Sequence, residues 1–312
     1  MNPKLVIIVG PTAVGKSAIA LELAAMLNAE IISADSQLVY RGLDIGSAKP
    51  TPAQRRQISH HLIDRVDPDE EFNAAMYRSL AVAAAEDIWG RGKNVLVCGG
   101  TGLYIKAFTK GLFPGPERDS EIRKKLENEM LEYGLPGLYR RLEQADPTAT
   151  TWIHPNDRHR ILRALEVLEL TGTPLSQWQK SHGFNNRSFT ALTIGLDRER
   201  GELYDRINRR CEQMLADGLM GEVEALLSAG YSLNLKPLRS VGYRHMGLVI
   251  AGKMQIQQAL ELMQRDTRRL ARRQLTWFRG ESETLWRHPD HKADIFTMAA
   301  SFLDAGPKEI GA

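Results

Sequence analysis

The chain has 312 residues, enough for two compact units or for one core that carries a large insertion. Hydrophobic residues make up 43% of it and charged residues 25%, and these ordinary globular values exclude a fibrous, low-complexity or disordered chain. Lysine and arginine number 41 against 38 aspartate and glutamate, so the net charge of +3 does not by itself indicate a nucleic-acid partner. Any evidence for such a partner must come from local clustering of charge.

Membrane and disulfide signals are missing from the sequence. No stretch approaches the ~20 apolar residues that a spanning helix needs, and the N-terminal run Leu5–Val9 is too short for the core of a signal peptide. The two cysteines, Cys98 and Cys211, lie far apart in regular elements, which favours reduced thiols over a disulfide. We therefore expect a cytoplasmic protein without a membrane partner, and a monomer by default.

The N-terminal third alternates short β-branched runs with helical patterns, which is typical of parallel βαβ units. This pattern predicts a P-loop-type α/β core, a parallel sheet with helices on both faces. The predicted strands span Lys4–Val9, Glu30–Ser33 and Asn94–Cys98, and the predicted helices span Lys16–Leu27 and Ala74–Trp89.

The pattern changes at the turn cluster Phe113-Pro114-Gly115-Pro116. From Asp119 to Lys180 the periodicity is helical and no convincing strand occurs, so we predict an all-helical insertion domain over residues 116–186. A returning strand is predicted over Arg187–Leu196, followed by long C-terminal amphipathic helices, notably Glu199–Leu215 and Gln255–Trp277. Residues 1–115 and 187–312 would together form the core domain.

The segment Gly10–Ser17 matches G-x-x-x-x-G-K-[ST] at every constrained position and lies between a strand and a helix, as this motif requires. Its backbone amides can wrap an anion, and the following helix directs its positive end at the same place. Lys16 adds a charge, and the Ser17 hydroxyl suits Mg²⁺. We therefore predict Mg²⁺ as cofactor and a diphosphate site formed by Gly10, Pro11, Thr12, Ala13, Val14, Gly15, Lys16 and Ser17.

The motif contacts only phosphates, so it leaves open which diphosphate binds; nucleoside triphosphates are the usual cargo, but any diphosphate ester could bind. Nucleotide-hydrolysing enzymes normally place a Mg²⁺-binding carboxylate at the end of a buried strand, whereas Val95–Cys98 runs into Gly99-Gly100-Thr101. Asp87-Ile-Trp-Gly90 resembles a switch motif, but no guanine-reading N-K-x-D follows it. These absences argue against an ATPase motor or a GTPase.

Asp35 follows the second predicted strand. The carboxyl ends of adjacent parallel strands converge on one crevice, so Asp35 should face the phosphates that the loop holds. The alternative is that its carboxylate only caps the end of the strand.

Eight motifs follow one another along the chain: Gly10–Ser17, Asp35-Ser-Gln, Tyr40–Pro50, His60–Asp64, Gly99–Tyr104, Asn156-Asp157, Arg163–Val167 and Val241–Arg244. Together and in this order they resemble the motifs of the tRNA dimethylallyltransferases. The resemblance extends from about residue 5 to about residue 280, and the block from Asp35 to Pro50 is the most specific.

The resemblance implies transfer of a dimethylallyl group from dimethylallyl diphosphate to the exocyclic N6 amine of the adenosine immediately 3′ of the anticodon in tRNA. That amine is a poor nucleophile, and Asp35 suits the acceptor of its proton. Lys16, the loop amides and Mg²⁺ would stabilise the departing diphosphate. Thr101 matches a family residue that contacts the target base; alternatively, its hydroxyl caps the helix that begins at Gly102.

A base within the anticodon stem-loop must be extruded before chemistry can occur on it, so the enzyme needs an RNA surface. The segment Arg265–Arg279 holds six arginines besides one acid, and positions 265, 268, 269, 272 and 273 recur on one helical face. With Trp277 and Phe278 beside it, this stripe predicts contacts to the RNA backbone plus stacking. A solvated charged face is the alternative interpretation.

By resemblance, the tRNA-contacting residues are Asp35, Ser36, Gln37, Leu38, Thr101, Arg123, His159, Arg160, Ile161, Leu162, Arg163, Arg239, Ser240, Val241, Gly242, Tyr243, Arg244, Arg272, Arg273, Gln274, Leu275, Thr276, Trp277, Phe278 and Arg279. The family usually has Gln at His159 and often Cys at Ser240. Arg206 and Arg210 lie four residues apart on one helical face, where they could reach the diphosphate or balance carboxylates.

Two other classes of function share some of these features. A P-loop kinase of a nucleoside or small metabolite would have the same loop and second-strand acid, but it leaves the arginine-rich helix unexplained. A non-enzymatic RNA-binding regulator would use nucleotide only as a switch and would form no covalent product.

Overall fold

The structure, a computed structural model, describes residues 3–112, 115–182 and 189–305. The chain divides into two compact units. The sheet unit consists of Met1–Thr109 and Arg187–Ala312, and the helical unit consists of Lys110–Asn186.

The described part of the sheet unit contains a six-stranded sheet in the order β3-β2-β4-β1-β5-β6, in which every neighbouring pair is parallel. The strands are β1 Lys4–Val9, β2 Ala29–Ala34, β3 His60–His61, β4 Asn94–Gly99, β5 Thr190–Leu196 and β6 Thr284–Arg287. The central strand β1 is almost wholly buried from Leu5 to Val9, because a parallel sheet is covered on both faces.

The helices of the sheet unit surround this sheet. They are α1 Lys16–Met26, α2 Pro52–Gln57, α3 Ala74–Gly90, α4 Gly102–Lys110, α9 Arg200–Ala216, α10 Leu219–Ser228, α11 Tyr243–Ile250, α12 Ile256–Arg279 and α13 Lys292–Asp304. The connections β1-to-β2 and β3-to-β4 run in opposite directions along the sheet, so right-handed crossovers place α1 and α3 on opposite faces. The predicted α/β fold with a parallel sheet is confirmed.

The helical unit has its own hydrophobic core. Its helices are α5 Ser120–Ala145, α6 Pro147–Thr150, α7 Arg158–Thr171 and α8 Leu175–His182. α5 is kinked where Gly134 adopts a left-handed φ of 69°, two residues before Pro136. Leu126, Leu142 and Leu165 are fully buried in this core. The structure shows no strand in residues 115–182.

Several boundaries differ from the predicted ones by a few residues, and two strands were not predicted. α9 and α12 lie close to the predicted Glu199–Leu215 and Gln255–Trp277. The sequence patterns missed the edge strands β3 and β6, because two and four residues are too few to show a period. Phe113 and Pro114 of the predicted turn cluster, and the first two residues of the predicted strand Arg187–Leu196, lie outside the described residues.

Cys98 and Cys211 are both free thiols. None of the helices in the described ranges combines the length and the apolar character that crossing a bilayer requires.

Candidate active site

The glycine-rich loop leaves the end of β1 and enters α1. Gly10 has a φ of 143°, and a Cβ atom on it would lie 2.6 Å from the Leu196 carbonyl oxygen, so only glycine fits there. Ala13 also adopts a left-handed φ, of 65°. These turns bend the chain around the space in front of α1, where the helix presents its unpaired amides to an anion.

Lys16 begins α1, and its ammonium group lies over the loop. Its Nζ donates hydrogen bonds to the carbonyl oxygens of Gly10, at 3.0 Å, and Pro11, at 2.7 Å. Burial lowers the pKa of Lys16 to about 8; Arg210 acts in the same direction, whereas Cys98 and Asp35 oppose the shift. The lysine is therefore charged at neutral pH but close to its titration range.

Asp35 and Thr101 follow the ends of the adjacent strands β2 and β4. Asp35 Oδ1 accepts a hydrogen bond from the Gln37 amide at 2.8 Å, as the capping interpretation predicts. The Thr101 hydroxyl accepts one from the Ser36 amide at 3.1 Å, and the Thr101 amide donates to the Ala34 carbonyl at 3.0 Å. The two strand ends are thus tied together, as parallel topology predicts.

The Asp35 side chain makes the capping bond that was one alternative for it, whereas the Thr101 hydroxyl does not cap α4. Asp35 engages one carboxylate oxygen in the local turn, and no described residue bonds to the other oxygen. The hydroxyl of Thr101 bonds to Ser36, not to an amide of α4, whereas its backbone carbonyl accepts from the Tyr104 and Ile105 amides. The Asp35 carboxylate therefore keeps an oxygen that can accept a proton.

The loop opens on a cavity of about 1240 Å³. Seven basic side chains line it against three acidic ones, and the excess of positive charge suits a polyanion. The basic residues are Lys16, Lys49, Arg55, Arg56, Arg206, Arg209 and Arg210, and the acidic residues are Asp44, Asp64 and Asp217.

Arg206 and Arg210 of α9 line this cavity. Gly15, Lys16 and Ser17, from the glycine-rich loop and the start of α1, line it as well. Arg206 Nε donates to the Ala13 carbonyl oxygen at 2.9 Å, so this arginine braces the glycine-rich loop. Arg210 has no hydrogen bond or ion pair with any described residue, and burial lowers the pKa of its guanidinium. An unpaired, half-buried arginine is available to an anionic ligand.

The donor set for Mg²⁺ is small. Ser17 presents an exposed hydroxyl to the cavity, and within the described ranges no cluster of three His, Cys, Asp or Glu residues could hold a metal by itself. Mg²⁺ is commonly bound through one or two protein oxygens together with substrate phosphates. The residues present therefore fit a magnesium ion that arrives with a diphosphate.

α12 contacts both the glycine-rich loop after β1 and the loop after β4. Gln274 Oε1 accepts from the Thr12 amide at 2.8 Å, and its Nε2 donates to the Gly100 carbonyl at 3.0 Å. The Trp277 ring lies against the start of α4, since a Cβ on Gly102 would be 2.2 Å from its Nε1. One amide side chain thus bridges the glycine-rich loop and the loop that holds Thr101.

The comparisons with known proteins agree with this geometry. Residues 38–281 match the family model described as IPP transferase. The chain is 49% identical over 300 residues to a tRNA dimethylallyltransferase of Geobacter metallireducens, and the match covers 96% of this chain and 97% of the relative. It is 46% identical over 302 residues to tRNA dimethylallyltransferase 2 of Syntrophus aciditrophicus, and that match covers 97% of each protein. The chain belongs to the tRNA dimethylallyltransferase family.

Solved structures of this family share the fold. The full-length tRNA isopentenylpyrophosphate transferase of Bacillus halodurans superposes with a TM-score of 0.72 at 37% identity, covering 97% of each chain. A eukaryotic dimethylallyltransferase acting on tRNA superposes with a TM-score of 0.78 at 27% identity, covering 98% of this chain and 81% of that one.

The arginines of α12 differ in their partners. Arg265 and Arg269 pair with Asp266 at 3.1 and 3.3 Å, and Arg244 of α11 pairs with the same carboxylate. Arg268 donates to the Asn208 side chain at 2.6 Å. The predicted basic stripe is therefore partly neutralised within the protein.

The C-terminal half of the stripe has fewer partners within the described residues. Among the described residues, Arg272 bonds only to the Tyr204 hydroxyl, and this bond lowers the pKa of that phenol. Arg273 is exposed and makes no hydrogen bond or ion pair in the described part of the chain. Arg279 pairs with Asp197 at 2.6 Å. Arg272 and Arg273 are thus the arginines of α12 that are freest to meet an RNA backbone.

Four residues of the predicted tRNA-contacting stretches have side chains that are buried in hydrophobic cores, with exposures of 2% or less. They are Phe278 and Tyr243 in the sheet unit and Ile161 and Leu162 in the helical unit. The expectation that Phe278 stacks on RNA is therefore wrong. All four residues lie in amphipathic helices, and each turn of such a helix directs some of its side chains into the core.

Most of the other predicted residues of the sheet unit are half-buried or exposed, whereas Gly242 is buried. Ser36, Gln37 and Leu38 are half-buried in the turn after β2, and Arg239 is exposed at the end of the short 3₁₀ turn Pro237–Arg239. Ser240 follows it, and its hydroxyl is buried without a hydrogen-bond partner among the described residues. The remaining positions are half-buried Val241 and Leu275, exposed Thr276, and Gly242, whose φ is 94°.

In the helical unit, a buried acid that the sequence patterns did not reveal organises two predicted residues. Glu166 is fully buried, and its carboxylate lies 3.1 Å from Arg163 and 3.5 Å from Arg123. His159 is exposed, and Arg160 pairs with Asp157 at 3.4 Å. Arg123 and Arg163 therefore have a structural partner whether or not they contact tRNA.

Proposed function

We propose that the protein transfers a dimethylallyl group from dimethylallyl diphosphate to the N6 amine of the adenosine immediately 3′ of the anticodon in tRNA and releases diphosphate. The observation that supports this reaction best is the placement of Asp35 and Thr101 at adjacent strand ends, tied to a phosphate loop through Gln274. The substrate class is supported by the relatives, which are tRNA dimethylallyltransferases, and by the eukaryotic dimethylallyltransferase acting on tRNA that shares the fold.

The chemistry requires one bond to form as another breaks. The N6 lone pair attacks the terminal allylic carbon, the bond from that carbon to the diphosphate oxygen breaks, and the electron pair leaves with the diphosphate. The amine then carries an excess proton, which the free oxygen of the Asp35 carboxylate accepts. The Thr101 hydroxyl lies at the neighbouring strand end, where it can orient the base.

The leaving diphosphate gains charge in the transition state. The loop amides, Lys16, Arg206 and Arg210 surround the space it would occupy, and fixed donors stabilise such charge without reorganising. Ser17 would hold Mg²⁺, which supplies further charge neutralisation to the phosphates.

The proposed macromolecular partner is the anticodon stem-loop of tRNA. Exposed Arg272 and Arg273 in the sheet unit and exposed His159 in the helical unit are the side chains best placed on the surface for it. A tRNA substrate suits a cytoplasmic enzyme. We propose that the enzyme acts as a monomer.

The kinase alternative is not favoured. A P-loop kinase would share the cavity and Asp35, but curated relatives at 46–49% identity are tRNA dimethylallyltransferases. A regulator that binds RNA without chemistry would have no need of a carboxylate with a free oxygen beside the phosphate loop.

The test combines a product assay with one isosteric variant. The purified protein is incubated with Mg²⁺, dimethylallyl diphosphate and unmodified tRNA, and the digested nucleosides are weighed by mass spectrometry. A five-carbon mass gain on the adenosine is expected. Consumption of ATP without that gain would instead establish a kinase.

Asp35→Asn keeps the bond to the Gln37 amide but removes the proton acceptor. We expect it to lower kcat by at least about 100-fold while leaving the Kd for tRNA nearly unchanged. Asp69→Asn, at an exposed residue that does not line the cavity, is the control for charge. A variant at Asp35 that retains more than about a tenth of the wild-type rate would show that Asp35 is not the base.

A further inference from the structure

The loop between β2 and α2 forms one wall of the cavity. Five of its residues line the cavity: Asp44, Ile45, Ala48, Lys49 and Pro50. This stretch is neither helix nor strand, so no regular secondary structure holds its backbone. Backbone amides in such a loop need partners outside it to hold one conformation. The partners of this loop therefore determine the shape of the cavity.

A single carboxylate supplies those partners. Glu222 of α10 accepts at Oε2 from the amides of Asp44, at 2.9 Å, and Ile45, at 2.7 Å. Its Oε1 accepts from the Gly46 amide at 3.2 Å and from the Tyr243 hydroxyl at 2.6 Å. Three consecutive amides that converge on one anion form a nest, and bonds to a charged acceptor are stronger than neutral ones.

The packing beside Glu222 leaves the loop little freedom. A Cβ on Gly46 would lie 2.6 Å from the ring of Tyr243 and 2.8 Å from Leu219, so the loop backbone rests directly on these side chains. Tyr243 is fully buried, and burial together with Glu222 raises the pKa of its phenol. The phenol therefore stays protonated and donates to Glu222.

Lys49 anchors the far end of the same loop. Its side chain is 1% exposed, and its Nζ donates to the Tyr40 carbonyl at 2.8 Å and to the carboxylates of Asp44 at 2.5 Å and Asp64 at 2.6 Å. The Asp44 side chain is held by Lys49 while its amide is held by Glu222. Glu222 and Lys49 thus hold the two ends of the loop. Lys49 is one of the cavity-lining residues, whereas Glu222 is not.

We propose that Glu222 is a positioning residue for dimethylallyl diphosphate: by holding the amides of Asp44, Ile45 and Gly46, it fixes the cavity wall that faces the phosphate loop. That the ligand is dimethylallyl diphosphate is taken from the proposed function. A preset wall lowers the ordering cost of binding, so loosening the loop weakens binding of the small substrate without changing the groups that perform the reaction.

The first measurement concerns the loop itself. Glu222→Gln preserves size but places an amide NH₂ where Oε1 or Oε2 accepts hydrogen bonds, so at least one amide of the nest loses its partner. We expect faster hydrogen exchange at residues 44–46 in this variant. Glu224→Gln, an exposed position on the same helix, removes the same charge and should leave that exchange unchanged. Unchanged exchange in Glu222→Gln would overturn the proposal.

The second measurement separates positioning from general structural support. In Glu222→Gln we expect the KM for dimethylallyl diphosphate to rise about tenfold, with kcat and the KM for tRNA within about twofold of wild type. A parallel loss in all three constants, or an unchanged KM for dimethylallyl diphosphate, would overturn the proposal. Should Glu222→Gln fail to fold, Tyr243→Phe removes one bond to the same carboxylate and should raise the same KM by about threefold.

These outcomes remain distinct from a failure of the proposed function. A wild-type protein that binds dimethylallyl diphosphate but transfers nothing to tRNA would refute the reaction, and Kd for the diphosphate would then replace KM in the comparison. A wild-type protein that does not bind dimethylallyl diphosphate would refute both statements.

Discussion

Raising the pH from 7 to 9 should weaken diphosphate binding because Lys16 loses its charge in this interval. Burial lowers the pKa of Lys16 to about 8, and the group is charged below that pH and neutral above it. The charged fraction therefore falls from about 0.9 at pH 7 to about 0.1 at pH 9. If the diphosphate requires charged Lys16, its Kd rises about tenfold over these two units.

The assay is calorimetric titration of dimethylallyl diphosphate into the Mg²⁺-supplemented protein at several pH values. Among the groups whose charges act on Lys16, Arg210 stays charged, and burial raises the pKa of the Cys98 thiol to about 11. Lys16→Arg is the matched control, because a guanidinium remains protonated at pH 9. Its Kd should be higher than that of wild type at pH 7 but should change by less than about twofold up to pH 9.

Two results would refute this reasoning. A wild-type Kd that stays constant from pH 7 to 9 would mean either that Lys16 does not contact the diphosphate or that its pKa is not lowered. A tenfold rise in both wild type and Lys16→Arg would assign the titration to another group or to the ligand.

Two further predictions concern arginines. Neutralising either Arg272 or Arg273 should reduce the slope of log K for tRNA binding against log salt concentration by about one. Arg268→Gln, at a residue bonded to Asn208, should leave this slope unchanged. An unaltered slope after neutralising Arg273 would show that this side chain is a solvated surface charge that does not contact RNA. Glu166→Ala should destabilise the protein by about 3–5 kcal/mol in thermal unfolding, because it leaves Arg123 and Arg163 beside an unfilled buried site, and a loss below about 1 kcal/mol would contradict that role.

The sheet and the glycine-rich loop could be predicted because their signals are local. A run of buried apolar residues such as Leu5–Val9, followed at once by a motif with fixed spacing, indicates both a strand and the turn after it. The approach of Asp35 and Thr101 also follows from local signals, since parallel strands end at the same edge.

The contacts made by Gln274 and Glu222 could not be predicted in the same way. Gln274 bonds to residues 262 and 174 positions away, and Glu222 bonds to amides 176 to 178 positions away. Each of these side chains lies on an ordinary amphipathic helix, and helical periodicity shows which face is buried but not what lies against it. Their roles depend on how α10 and α12 pack, which only the folded chain shows.

The arginine-rich helix shows why residue type alone does not identify a binding surface. The sequence places five arginines on one face, and that regularity is real, but a single carboxylate at Asp266 holds Arg265 and Arg269 while Asn208 holds Arg268. A paired arginine must give up its partner before it can meet a phosphate, so its net contribution to binding is smaller than that of a free one. The end of the stripe that keeps its charge free, at Arg272 and Arg273, flanks Gln274, which bridges the glycine-rich loop and the loop after β4.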